Sequence, residues 1–250
     1  MAKVTCILPI WLVNKELANL TSATLNSLNN SLFPEGDEFE LIIIDNASPL
    51  YSDSLISLKP YIYIRASENK GFPWAVNQGL KIGTGEYFAV LNNDIKVSDN
   101  WWLVAKEIFE RVKDAGTAHF RMIGYDEPNV PGDQIFPTGK ERWCHGSFYV
   151  AKKEVFDKVG LYDEGFGLGG YDDYDLFGRI RKAGFKQVYT NGAFFQHKDS
   201  STQLLRDPNE RSETDRKNRE YYKKKHGKYP DLEFAEQFPK QMEELWRPYP

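Results

Sequence analysis

Apolar residues along this chain fall into two rhythms, and their alternation gives the first reading of the fold. "VTCILPI" (4–10) is an almost unbroken apolar run rich in β-formers, which predicts a strand buried on both faces. Leu17, Leu20, Leu25 and Leu28 follow at helical spacing and predict an amphipathic helix with those residues inward. The strand rhythm returns in "FELIIID" (39–45), "YIYIRA" (61–66) and "EYFAVLNND" (86–94), and "ENKGFPWAVNQGLKIG" between the last two reads as a glycine turn and a helix. A further helix is expected near 99–113, capped by Ser98 or Asp99, with Trp101 and Trp102 early in it. From about 117 to 142 the pattern weakens, and a long loop rich in Pro, Gly and charge is expected. "GSFYVAKKEVFDKVG" resumes with a short strand and helix, "KQVYTNGAFFQH" supplies one more strand, and "RKNREYYKKKHG" reads as helix within a charged stretch from 203 to 250.

Strands alternating with helices at this spacing mean crossover connections and an α/β sheet. Sites in such sheets lie beyond the carboxyl ends of the strands. Pro9 and Trp11, Asp45, Asn69 to Gly71 and Asn92 to Asp94 each follow a predicted strand, so they are expected on one rim.

Composition narrows the class. The 250 residues are 41% hydrophobic and 27% charged, a globular balance with length enough for one large domain or two small ones. The net charge of −4 gives no electrostatic reason to expect a nucleic-acid partner. Cys6 and Cys144 have no metal-like spacing; Cys6 sits in an apolar run and reads as a buried thiol, which fits a reducing compartment. "MAKVTCILPI" is too short and strand-like for a signal peptide, and no apolar stretch approaches the roughly 18 residues of a membrane span. A cytoplasmic protein is the expectation, with peripheral membrane contact left open.

Common nucleotide and hydrolase signatures are missing. There is no G-x-x-x-x-G-K-[ST], the first strand runs into "WLVN" and not a G-x-G-x-x-G turn, and no G-x-S-x-G elbow occurs. What stands out is "FGLGGYDDYDLFGRIRKAGF" (166–185), where glycines deliver Asp172, Asp173 and Asp175 to the start of an amphipathic segment closed by Gly184. Helix capping accounts for some of these acids, with Asp172 as N-cap and Asp175 three residues on; it does not account for three. Asp94 and His197, each following an apolar run, form a carboxylate–imidazole pair suited to Mn²⁺ or Mg²⁺ held jointly with substrate phosphates. Read singly, the first would be a turn residue and the second a solvated histidine.

In this order the segments resemble the family 2 glycosyltransferases, inverting enzymes with the A-type nucleotide-sugar-binding fold, over roughly residues 4 to 202. "CILPIW" is similar to the family's opening strand and Pro-x-aromatic turn, "IIIDNAS" to its second-strand aspartate motif, and "NKGFPWAVNQG" to its loop and helix. "VLNND" is similar to its DxD-like metal motif, here reduced to Asn92-Asn93-Asp94, and "FFQHKDSS" to its terminal histidine. "GLYDEGFGLGGYDDYDLFGRIRKAGF" resembles its acidic acceptor motif, and part of it the Gly-Gly-Glu-Asp loop of animal β-1,4-galactosyltransferases. The family's Glu-Asp pair is Asp172-Asp173 here.

The resemblance implies a single Rossmann-like nucleotide-diphospho-sugar transferase domain over 1–202, with a mainly parallel central sheet and helices on both faces. A charged helical extension over 203–250 would pack on or beside it. It implies Asp173 as general base, with Asp172 the less favoured choice, and Asp94 and His197 as ligands of Mn²⁺ or Mg²⁺. Pro9, Trp11, Asp45, Asn69, Gly71, Asn93 and Asp94 would bind a nucleoside-diphosphate sugar, UDP-sugar favoured. Trp143, His145, Gly170 and Tyr171 would meet a glycan or other hydroxyl acceptor. Two rival expectations are a nucleotidyltransferase, which should carry a basic glycine-rich loop where "IWLVNKE" stands, and an inactive carbohydrate-binding protein on the same fold.

Overall fold

The computed structural model describes residues 1–50, 61–125, 135–138, 144–198 and 207–230. Its strands are β1 Lys3–Ile10, β2 Glu38–Asp45, β3 Tyr61–Arg65, β4 Tyr87–Leu91, β5 Ile95–Val97, β6 Ala115–Gly124, β7 Ile135–Thr138, β8 Phe148–Lys152 and β9 Lys186–His197. The helices are α1 Lys15–Asn29, α2 Phe72–Ile82, α3 Trp101–Arg111, α4 Lys153–Val159, α5 Asp172–Lys182 and α6 Pro208–His226. None of these helices is long and apolar enough to cross a membrane.

All the strands join one sheet in the order β3-β2-β1-β4-β8-β6-β9-β5, with β7 also on β9. The parallel sheet expected from the sequence is its first half, β3-β2-β1-β4. Beyond β4 the pairs are antiparallel except β6 with β9. Besides β6, the long β9 has two further partners: Gln187–Thr190 pairs with β7, and Phe195–His197 pairs with β5.

The pleat of β1 sorts the core into two layers. Val4, Cys6, Leu8 and Ile10 join the Leu17, Leu20, Leu25 and Leu28 stripe of α1 and the tryptophans of α3. Ile7 faces the other side, with Val76 and Leu80 of α2, Val155 and Phe156 of α4, and Leu176, Phe177 and Ile180 of α5. Cys6 is a buried free thiol, as expected, and burial raises its pKa well above the usual value. Contact on the second layer is close: a Cβ on Gly79 would lie 2.5 Å from Ile7 Cγ2, so α2 rests directly on β1. That close seat fixes where the N-terminus of α2, and Gly71 before it, stands on the rim.

Two expectations are corrected. Residues 117 to 124, expected as the start of a loop, belong instead to a ten-residue strand, β6, in the middle of the sheet. Its "AGTAHFRMIG" lacks an apolar run because neighbouring strands bury small and polar residues: Thr117 and His119 are as inaccessible as Ala118 and Phe120. Burial pushes the His119 imidazole pKa down to about 3, and Nε2 sits 2.9 Å from Thr117 Oγ1. The α3 cap position falls on Asn100, not Ser98 or Asp99. Ser98 instead lies in the chain reversal, its Oγ accepting the Phe194 amide at 3.2 Å.

Candidate functional site

The carboxyl ends of the parallel strands carry the first group of residues. Ile10 of β1 registers with Asp45 of β2, and Asp45 with Arg65 of β3. Pro9 is buried and Trp11 half-buried at this edge. The Asp45 carboxylate is almost fully enclosed; it accepts the Ser48 amide at 2.7 Å and contacts the Tyr63 hydroxyl and the Arg65 guanidinium. Burial, and then the neighbouring Asp45 carboxylate, push the Tyr63 phenol up to about 12. Next in chain, buried Asn46 reaches across to the turn before α2: its Nδ2 donates to Gly71 O at 2.9 Å and its Oδ1 accepts Lys70 N at 3.0 Å. Asn69 Oδ1 accepts the Gly71 amide at 3.0 Å. Asp45, Asn69 and Gly71 are thus brought together, and the amide that joins them belongs to Asn46.

Past β4 the chain turns and immediately enters β5, which pairs with the end of β9. Ile95 registers with His197, and Lys198 N donates to Asp94 O at 3.0 Å. This register sets Asp94 Oδ1 3.3 Å from His197 Nε2, with both side chains buried. The approach lacks hydrogen-bond geometry, and neither ring nitrogen of His197 has a hydrogen-bond partner among the described residues. A buried imidazole with no proton partner beside a carboxylate suits a divalent cation, since both groups are good ligands for Mn²⁺ or Mg²⁺. Among the described residues no cluster of three or more His, Cys, Asp or Glu side chains could hold a metal alone. Asn93 is turned away from this pair: its Nδ2 donates to Thr21 Oγ1 of α1 at 3.0 Å.

The acidic segment meets the same rim from the other side. Asn92 N donates to Ser147 O at 2.8 Å as β4 hands over to β8, and Gly146 beside it touches Asp173. A Cβ at Gly146 would stand 2.9 Å from Asp173 Cβ and Oδ2. The chain arrives at α5 through a 3₁₀ turn, Glu164–Phe166, and four residues at positive φ: Gly167, Gly169, Gly170 and Tyr171. Gly71 needs its glycine for a steric reason, because a Cβ there would lie 1.9 Å from Gly167 O. The turn before α2 and the acidic loop therefore pack backbone to backbone.

Tyr171, at φ 66°, holds the N-cap position of α5 without a side-chain cap, so Asp172 is not the cap. Being already helical, Asp172 turns back along the loop and accepts Gly170 N at 2.6 Å. Asp173 is the more open of the two; its Oδ1 accepts the Tyr174 amide at 2.9 Å. Burial raises both carboxyl pKa values well above the usual range, and the Asp172 charge adds to the rise at Asp173. Asp175 is not a capping group either. It is fully buried and meets Arg179 at 2.9 Å, Lys225 at 2.6 Å and His226 at 2.8 Å.

Of the residues expected around an acceptor, Gly170 and Tyr171 lie in this loop and His145 is exposed next to Gly146. Trp143 lies outside the described residues. Several polar residues that organise the rim were missed: Arg65, Asn46, Asn77 and Asn218. Asn77 joins α2 to the segment before the loop, donating to Tyr162 O at 2.9 Å and Glu164 at 2.8 Å and accepting Tyr162 N at 3.0 Å. Asn69, Gly71, Ala75, Asn77 and Gly79 recur along one segment, and that spacing was the available signal for Asn77.

Comparison with known proteins agrees with this geometry. Residues 9–174 match the family described as Glycosyl transferase family 2. An uncharacterized protein of Sinorhizobium fredii (strain NBRC 101917 / NGR234), y4gI, is 24% identical over 88% of this chain, which spans only 28% of that relative's length. Among solved structures, GalNAc-T7 with UDP, GalNAc and Mn²⁺ superposes with a TM-score of 0.65 at 15% identity, over 79% of this chain and 44% of that one. S. aureus TarS 1–349 with UDP-GlcNAc gives 0.62 at 13% identity, over 98% and 78%. The Pyrobaculum calidifontis mannosyltransferase PcManGT with GDP-Man and Mn²⁺ gives 0.58 at 17%, over 76% and 55%. At these identities the structural likeness speaks for the fold, which is the A-type glycosyltransferase fold.

Proposed function

The chain belongs to glycosyl transferase family 2, and from that premise we propose that it moves a sugar from a nucleoside-diphosphate sugar to a hydroxyl acceptor with inversion at the anomeric carbon. The observation that carries this reading is the meeting of two carboxylate centres on one strand-end rim. Asp94 lies beside His197 at 3.3 Å, and Asp173 touches Gly146 two residues before β8.

In the proposed reaction the acceptor oxygen attacks the anomeric carbon from the face opposite the diphosphate. Asp173 accepts the hydroxyl proton as the new C–O bond forms, and the bond to the diphosphate breaks with its electron pair leaving on the nucleotide. Asp173 suits the role better than Asp172, which is the more enclosed of the two. A carboxylate whose pKa is raised by burial and by a like-charged neighbour is also a stronger base once ionised. Asp94 and His197 would hold Mn²⁺ or Mg²⁺, which when bound supplies positive charge to the diphosphate. Mn²⁺ in the GalNAc-T7 and PcManGT structures supports that choice, and UDP or UDP-GlcNAc in GalNAc-T7 and TarS favours a uridine donor. Pro9, Trp11, Asp45, Asn69 and Gly71 form the nucleotide side; His145, Gly170 and Tyr171 form the acceptor side. The catalytic unit would span 1–202, with the charged extension against it.

Incubation with a panel of nucleotide sugars, followed for slow donor hydrolysis and for transfer, tests the reading. One donor consumed in preference, and an α-linked donor giving a β-linked product by its anomeric coupling constant, is expected. A retained configuration, or no donor consumed, would overturn it.

A further inference from the structure

We propose that Asn218 of α6 is a positioning residue for the acceptor side: its side-chain amide fixes the glycine loop that leads into Tyr171 and Asp173. This rests on the transfer reading only in taking that loop to face the acceptor. Asn218 is buried, and its Nδ2 donates to Phe166 O and Gly169 O at 2.9 Å each and to Gly170 O at 3.2 Å. One NH₂ group thus gathers three carbonyls from a stretch of five residues. An amide suits this task, because it presents two donors in a plane and places no charge among the carbonyls.

The loop has need of such a tie. It passes through φ values of 57°, 111° and 102° at Gly167, Gly169 and Gly170 before Tyr171 at 66°. Glycines in such conformations give up much backbone freedom when ordered. On one side the loop meets Gly71 backbone to backbone. On the other, a groove of about 380 Å³ opens between it and α6, lined by Leu168, Thr214 and Lys217 among others. Beside this groove Phe166 packs edge-to-face on Tyr221 of α6, with ring centroids 5.0 Å apart, and the Asn218 amide supplies the polar tie to the loop carbonyls. The helix can bear the load because it is fastened separately: Lys225 reaches Asp163 and Asp175 at 2.6 Å each, and the Tyr221 hydroxyl donates to Asp163 at 3.1 Å. The turn at Gly71 is held separately by Asn46 and Asn69, so a slackened loop would shift Asp173 relative to the acceptor and leave the strand-end nucleotide groups in place.

Asn218→Ala removes the donors. Asn218→Asp keeps the volume and turns an oxygen toward the carbonyls, so the fold is tested with two different perturbations. Hydrogen exchange at the Gly165–Tyr171 amides should quicken in both, while calorimetry with UDP and Mn²⁺ should read an unchanged affinity. With an active donor and acceptor, acceptor kcat/KM should fall by roughly 10- to 100-fold, the scale of a misplacement near 1 Å. Unchanged loop exchange in both variants, or an unchanged acceptor KM and kcat, would overturn the role of Asn218. An unmutated chain that consumes no nucleotide sugar would overturn the transfer reading instead, with the exchange result left to stand by itself.

Discussion

The first turn of α5 has two faces, and the same residue type does different work on each. On the mouth face, Asp172 and Asp173 have backbone amides for company and no cationic partner among the described residues. On the back face, Asp175 is wrapped by Arg179, Lys225 and His226. Burial without a counter-charge makes the front pair costly to ionise, whereas burial with three partners turns the back carboxylate into a fastening for α6. A cluster that reads in sequence as one acidic patch is two devices, divided by which way the helix turns each side chain.

Breaking the front device should have the largest effect on activity and little on stability. Asp173→Asn is expected to lower the transfer rate by roughly 10²- to 10⁴-fold, the range for loss of a general base. Affinity for UDP with Mn²⁺ should stay near the unmutated value, because the base acts on the acceptor. Steady-state kinetics and calorimetry on the same preparation check this. Full turnover in Asp173→Asn would remove the assignment, and a comparable loss in Asp172→Asn alone would move it by one residue.

Breaking the back device should invert that pattern. Asp175→Ala leaves three cationic or cation-prone groups around a buried void, and a cost of about 3–5 kcal/mol in unfolding free energy is expected. Denaturant titration measures it. If the two variants cost the same stability, the division between the faces is wrong.

A third carboxylate on the rim sharpens the comparison, since Asp94 stands 3.3 Å from a buried histidine, whereas Asp175 meets Arg179 and Lys225 as well as a histidine. UDP should bind more tightly with Mn²⁺ than in EDTA, and Asp94→Ala and His197→Ala should each remove most of that gain. Acting through one ion, the double variant should lose little more than either single one. Equal affinity in Mn²⁺ and EDTA would return His197 to an ordinary strand-end residue.

How far the sequence showed these differences depends on where each residue's environment is written. β1, β2 and β4 are legible because strands covered on both faces must be apolar throughout, and α1 because its leucines repeat on one side. β6 is not, because its central place is set by neighbours that bury Thr117 and His119 as readily as apolar side chains. Asp94 and His197 could be paired in advance as two strand-end residues of compatible chemistry and through the family resemblance, not through any local pattern. Arg65 meets Asp45 through the register of β2 with β3, and Asn218 meets the loop through the path of α6; neither relation leaves a local pattern. The αL conformation of Tyr171, which displaced Asp172 from the cap, likewise follows from the loop's route over Gly71.

The smallest effect tests the electrostatic half of the comparison directly. Asp172 and Asp173 hold protons in the folded state that an unfolded chain would already have released, because both folded pKa values are raised by burial. Between the ordinary carboxylate range and those raised values the folded state binds more protons, so stability should fall as pH rises through that window and level off above it. Asp37 runs the other way. Burial pushes its pKa up, but Lys106 at 2.9 Å with the Trp102 and Ala2 donors more than offsets this and leaves it lowered. The stability from Asp37 is present above the ordinary carboxylate range and is lost as pH falls through the lowered value. The two together should place a stability maximum in mildly acidic solution, measurable as Tm against pH. Asp173→Asn removes one member of the front pair and relieves the like charge on the other, so its decline on the neutral side should be shallower, while the acid limb set by Asp37 stays where it was. Parallel curves for the variant and the unmutated chain would mean that the front carboxylates are solvated and unstrained, and the contrast with Asp175 would then lie in geometry alone.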